Sequence, residues 1–145
     1  MSTRKKKYTP KQFESKGEKY RDDKGKLRAD TSANIYESML LSSSFISMTD
    51  RQRMLYVICK AQYYGKRKPS KDYPEMEELD RQEVFYLNWA AVQRYGLYKP
   101  SMSSNFYRDM QQLEEHGFIK KLASGKSHRT KNIYEFSSGW IDWKG

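Results

Sequence analysis

Residues 101–116 constrain the fold more than any other stretch of the chain. They read SMSSNFYRDMQQLEEH and lie between Pro100 and Gly117. Wound as a helix, Met102, Phe106, Met110 and Leu113 fall in one stripe about 80° wide, an edge that must face a core. Pro100 disfavours helical geometry at Lys99, so the spacing predicts a helix starting at or just after it. Ser101 or a neighbouring serine can cap that helix.

The opposite face carries Ser101, Ser104, Arg108, Gln111 and Glu115, with Asn105 and Gln112 on one flank and Tyr107 on the other. Arg pairs with guanine edges in a major groove, Asn or Gln with adenine, and Ser with either. Ser101, Ser104, Asn105, Arg108, Gln111 and Gln112 are therefore the candidate base contacts. The acids Glu114 and Glu115 are confined to the last turn, away from where a groove-bound helix usually inserts. Taken alone, a polar helix face is most often merely solvated; its neighbours give it meaning.

Upstream, VFYLN reads as a short strand. NWAAVQRYG then makes about two helical turns, with Asn88 as cap and Gly96 as stop. The turn LYKP separates it from the helix at 101–116, which is helix-turn-helix spacing. Downstream, FIKKLAS and NIYEFS read as strands around the basic loop GKSHRTKN. Their alternation is imperfect, so which of Ile119, Leu122, Ile133, Tyr134 and Phe136 face inward stays open. Lys126, His128, Arg129 and Lys131 in that loop, with Tyr107 and Lys99, are the candidate backbone contacts.

An earlier helix is expected over about 50–64, where Thr49 and Gln52 form a capping box, Leu55, Ile58 and Gln62 repeat at helical spacing, and Gly65 stops it. Residues 35–41 read as a strand or lead-in segment. The proline-containing, charge-clustered stretch at about 65–83 reads as an exposed loop. The order is helix, strand, helix, turn, helix, strand, basic loop, strand. It predicts an α+β, mainly α, winged helix-turn-helix over residues 32–145, with a C-terminal β-hairpin wing.

Residues 1–31 differ in kind. They contain 11 basic and 5 acidic residues and few apolar ones, so they are expected to be a largely disordered basic arm. Arg4, Lys5, Lys6 and Lys7 are its candidate phosphate contacts. The whole chain of 145 residues carries a net charge of +10, which points to a polyanionic partner. Aromatics make up 14%, mostly tyrosine, a residue that packs its ring while its hydroxyl bonds water or phosphate. A single cysteine, Cys59, permits no internal disulfide and reads as a small buried hydrophobe in a cytoplasmic protein. No window approaches the 18 or so apolar residues of a membrane span, and the N-terminus lacks a secretory pattern.

LEEHGFIKKLASGKSHRTKNIYEF resembles the recognition-helix end and wing of bacterial winged-helix proteins. FISMTDRQRMLYVICKAQYYGKRKP, taken with NFYRDMQQLEEHGFIK, resembles small helix-turn-helix proteins of Firmicutes plasmids and conjugative elements. The order is also similar to the N-terminal domain of plasmid replication initiators. The resemblance covers roughly residues 33–140. It implies binding of double-stranded DNA at an origin, a transfer origin or an operator. It places the reading helix at 101–116 and the wing at 125–131. A full initiator would carry a further domain, so the resemblance favours an accessory or regulatory role in replication, transfer or transcription, associated with nucleoid or plasmid.

Other functions fit less well. No Gly-rich phosphate loop, metal-spaced cluster or evident partner for Cys59 is present, so neither an enzyme, a metal nor a cofactor is expected. Binding of RNA or single strands by aromatic stacking is one alternative. A protein-interaction winged helix is another. Trp140 and Trp143 either close the core or form a homodimer contact.

The arm yields a test. If Arg4, Lys5, Lys6 and Lys7 each neutralise a phosphate, deleting residues 1–31 should flatten the fall of log affinity with log salt by ~3–4 units. Preference between duplex sites should survive. Equal slopes for full-length and truncated protein would make the arm a solubilising extension only.

Overall fold

The computed structural model describes residues 19–62, 84–123 and 132–145. Among them the protein is α+β, with five α-helices and two small antiparallel sheets. The chain divides into two compact units, Met1–Ser32 and Ala33–Gly145.

Residues 1–31 are expected to be largely disordered, and the described part of the first unit contains a hairpin. Lys19–Arg21 (β1) and Leu27–Ala29 (β2) pair as an antiparallel hairpin. Turn chemistry rather than apolar burial closes it. The Asp22 carboxylate accepts the amides of Lys24 at 3.0 Å and Lys26 at 2.9 Å, and Arg28 Nε at 2.7 Å. Gly25 takes a positive φ of 77° there. Arg28 and the two amides lower the Asp22 carboxyl to about 2. A hairpin built this way leaves no hydrophobic periodicity in the sequence, and its mark is the Asp–Gly turn alone.

The second unit starts with two short helices, Glu37–Leu40 (α1) and Ser43–Ser47 (α2). The expected strand or lead-in at 35–41 is thus corrected to a helical turn. Helices of four and five residues are too short to persist alone. Burial of Met39, Ser44 and Phe45 holds them, and the Ser42 side chain caps α2 at the Phe45 amide. Asp50–Ala61 (α3) follows with the expected capping box of Thr49 and Gln52. It ends at Ala61 rather than near residue 64; Gly65 and the expected loop at 65–83 lie outside the described residues. Its buried residues are Leu55, Tyr56, Ile58 and Cys59.

Val84–Tyr86 (β3) leads to Trp89–Val92 (α4), capped by the Asn88 side chain at the Ala91 amide. A 3-10 turn, Gln93–Tyr95, continues it to Gly96, whose φ of 71° stops it as expected. Ser103–Glu115 (α5) is the longest helix described. Its N-cap is Met102, without a side-chain bond, which corrects the expected serine cap. The turn closes instead through its backbone, with the Met102 amide donating to the Lys99 carbonyl at 2.9 Å.

Ile119–Ala123 (β4) and Ile133–Phe136 (β5) complete a three-stranded sheet in the order β3-β5-β4. The central position of β5 explains the imperfect alternation. Tyr134 packs into the main core beside Phe85, while Ile133 packs with Val84, Tyr86 and Leu122 in a second cluster. Both faces of β5 therefore bury apolar side chains, which erases the inside-outside pattern. A bulge between Lys121 and Ala123 shifts the register of β4 as well.

A 3-10 turn at Gly139–Asp142 lies over the junction of α5 and β4. The Trp140 amide donates to the Gly117 carbonyl at 3.0 Å, and the Trp140 ring stacks on Phe118. Gly117 has a φ of 84°, and a Cβ there would lie 2.4 Å from the backbone of Gly139 and Trp140. Trp143 stacks on His116 with ring centroids 4.7 Å apart. Trp140 thus packs against the main core, while Trp143 stacks on the end of α5.

The core joins α3, α5 and the sheet. Phe106 is fully buried among Trp89, Tyr98 and Tyr107, with ring centroids at 6.0, 5.7 and 4.9 Å. Phe106→Ala should therefore cost ~3–5 kcal/mol, read by denaturant unfolding. An unchanged unfolding midpoint would mean that the helix is seated on another face.

Candidate nucleic-acid interface

The phase of α5 follows from what it buries. Phe106, Met110 and Leu113 are buried and Met102 is half-buried, the stripe expected from sequence. Ser104, Arg108, Gln111 and Glu115 are exposed on the other side. Asn105 and Gln112 are half-buried on one flank, and Tyr107 is exposed on the other. The structure thus brings Ser104, Asn105, Arg108, Gln111 and Gln112 onto one helix surface.

Two expected contacts stand differently. Ser101 is exposed but lies in the turn before α5, outside the helix in which it was expected. Gln112 donates from Nε2 to Glu115 at 2.9 Å, which engages its amide within α5. Lys99 is exposed in the same turn as Ser101. Lys126, His128, Arg129 and Lys131, and Arg4, Lys5, Lys6 and Lys7, lie outside the described residues.

One side chain on α5 breaks the polar-out rule. Asp109 is charged yet 1% exposed. Its Oδ2 accepts from Tyr98 Oη at 2.6 Å and from Arg51 Nε at 2.7 Å. Its Oδ1 accepts from an Arg51 terminal nitrogen and from Gln52 Nε2, each at 3.3 Å. The carboxylate therefore ties α3 and the turn after α4 to the middle of α5. A buried carboxylate without such partners would cost several kcal/mol. Its environment leaves marks on its neighbours. Burial, and then Asp109 itself, push the Tyr98 hydroxyl far up. The hydrogen bond to Asp109 holds the Arg51 guanidinium more firmly protonated.

Sequence reasoning missed Asp109 because its partners lie 58, 57 and 11 residues away. The signal was nonetheless present. Asp109 sits on the apolar side of the helix, three residues after Phe106 and four before Leu113, where a solvated acid does not belong.

The helix is also fixed at its C-terminal end. Glu114 Oε1 accepts the Lys121 amide at 2.9 Å, beside the bulge of β4. His116 Nδ1 lies 2.8 Å from the Gln112 carbonyl, which calls for the proton on Nδ1. The ring thereby satisfies one of the last carbonyls of the helix. Lys120 and Lys121 are exposed on β4 and add cations that the sequence reading did not single out. Tyr134, at the base of the same hairpin, has its hydroxyl pushed up to about 12 by burial.

Cys59 is fully buried against Met110, and burial raises its thiol well above the usual range, which suits a packing residue. Among the described residues, no group of His, Cys, Asp or Glu is arranged to hold a metal ion. No helix among them is long and apolar enough to cross a membrane. The chain matches no family profile, no curated protein and no solved structure.

The clamp on Asp109 makes a testable claim about stability. Arg51→Met leaves the carboxylate buried without its cation and should cost ~2–4 kcal/mol, somewhat below a fully buried pair because Arg51 is partly exposed. Combining Arg51→Met with Asp109→Leu should recover much of that loss. Losses that simply add in a double-mutant cycle would show that the two side chains are not coupled.

Proposed function

We propose that the protein is a winged helix-turn-helix that binds double-stranded DNA, with α5 in the major groove and the connection between β4 and β5 on the backbone or in the minor groove. The observation that carries this reading is the division of α5. Phe106, Asp109, Met110 and Leu113 anchor one side, which leaves Ser104, Arg108 and Gln111 together on a surface free of acids until the last turn. The succession of α4, turn and α5, followed by a hairpin in a β3-β5-β4 sheet, supports it. So does the net charge of +10.

In this reading Arg108 reads a base, because it is the one cation on the exposed face of α5. Lys99, before the helix, and Tyr107, on its flank, serve as backbone contacts, and the expected wing residues Lys126, His128, Arg129 and Lys131 are assigned the same role from sequence. The biological setting is accessory or regulatory, in replication, transfer or transcription of a mobile element. That setting rests on the resemblance described above rather than on geometry.

Mobility shifts with duplex DNA, single-stranded DNA and RNA of random sequence test the partner. Duplex should bind at least as tightly as the others. A marked preference for RNA or single strands would favour a stacking mode instead. Sites selected from a random duplex pool then give the preferred sequence. Arg108→Ala should cost ~1–3 kcal/mol on that site and relax preference there. An equal loss on selected and random duplexes would remove the base-reading role.

A further inference from the structure

We propose that Arg51, on α3, is a phosphate contact at the margin of the α5 surface. The proposal rests on the duplex-binding reading above, and it adds to that surface a residue from a different helix.

Arg51 is partly committed and partly free to act. A guanidinium offers five N–H donors. Nε and one terminal nitrogen point at Asp109, yet 35% of the side chain remains exposed. Asp109 itself is almost fully enclosed, with its oxygens shared among Arg51, Gln52 and Tyr98. What solvent meets at this place is therefore the cation and not the carboxylate.

The location matches the surface. Asp109 is one helical turn from Asn105 and from Gln112, the residues on the flank of the polar face. Arg51 thus lies along that flank, where a helix in a groove passes the bordering phosphates. Tyr98 lies under the guanidinium, with its ring centroid 5.6 Å from Arg51 Cζ, and the exposed Lys99 follows it in the chain.

The clamp also suits the role. A free arginine gives up rotamer freedom when it binds phosphate. The guanidinium of Arg51 is already oriented by a carboxylate on one edge and a ring on its face. Its remaining donors meet a phosphate at a smaller ordering cost.

The test is a salt titration of affinity on one duplex, with thermal unfolding as a check on folding. Removing Arg51 alone would strand Asp109, so the carboxylate is neutralised first. Asp109→Asn keeps the cation and should keep the wild-type slope of log affinity against log salt. Asp109→Asn with Arg51→Gln should flatten the slope by ~0.9, the loss of one phosphate contact. Arg51→Lys and Arg51→Gln on the wild-type background supply the same comparison if Asp109→Asn folds poorly. A structural role for Arg51 would lower stability and affinity in Arg51→Gln without moving the slope. Equal slopes overturn the proposal and leave duplex binding intact. Failure of the wild-type protein to bind any duplex overturns the duplex-binding reading and, with it, this one.

Discussion

The buried carboxylate of Asp109 is the interaction on which the domain's geometry turns. Apolar packing tells a helix which side to bury but leaves it some freedom to rotate and slide. A carboxylate held by four hydrogen bonds, two of them at 2.6 and 2.7 Å, does not. Tyr98 fixes the turn that enters α5, and Arg51 and Gln52 fix α3 against its middle. The direction in which Arg108 and Gln111 point is set by that constraint as much as by Phe106 and Leu113. A buried ion pair is weak evidence for stability, but it is an effective means of holding one arrangement among several. Here we take it to serve orientation.

The rest of the domain is arranged to support the same helix. The capping box at Thr49 brings Gln52 to the helix start, and Gln52 reaches Asp109. At the other end Glu114 takes the free amide at the bulge of β4, which couples the hairpin to α5. Gly117 allows the closing 3-10 turn to approach the backbone, and Trp140 and Trp143 then cover Phe118 and His116. The helix is held at its start, middle and end by polar bonds, with aromatic packing between. A surface held this firmly is suited to recognition that depends on the placement of a few side chains.

How much of this was legible in the sequence depended on range. Elements defined by local chemistry were readable: the capping box of Thr49 and Gln52, the Asn88 cap, the Gly96 stop and the phase of α5 from its apolar stripe. Features defined by distant contacts were not. Asp109 reads as an ordinary helix acid until residues 51, 52 and 98 are brought beside it. The hairpin of β4 and β5 could be read, but the pairing of β3 with β5 and burial on both faces of β5 could not, because alternation fails in just that case. The hairpin of β1 and β2 was missed for another reason. It buries little, so hydrophobic pattern says nothing, and the turn signal of Asp22 and Gly25 was submerged in a basic stretch. The candidate site was legible as a helix face; its anchor and its margin at Arg51 were not.

We propose that the outer face of α5 meets duplex DNA while its inner face holds the domain together. Mapping backbone amide shifts of the protein as duplex DNA is added tests this most directly. The largest changes are expected from Lys99 to Gln112, strongest at Ser104, Arg108 and Gln111, with Phe118 and Ile119 little affected. Changes concentrated instead on the exposed residues in and between α1 and α2, Leu40, Leu41 and Ile46, would overturn it, as would no change at all.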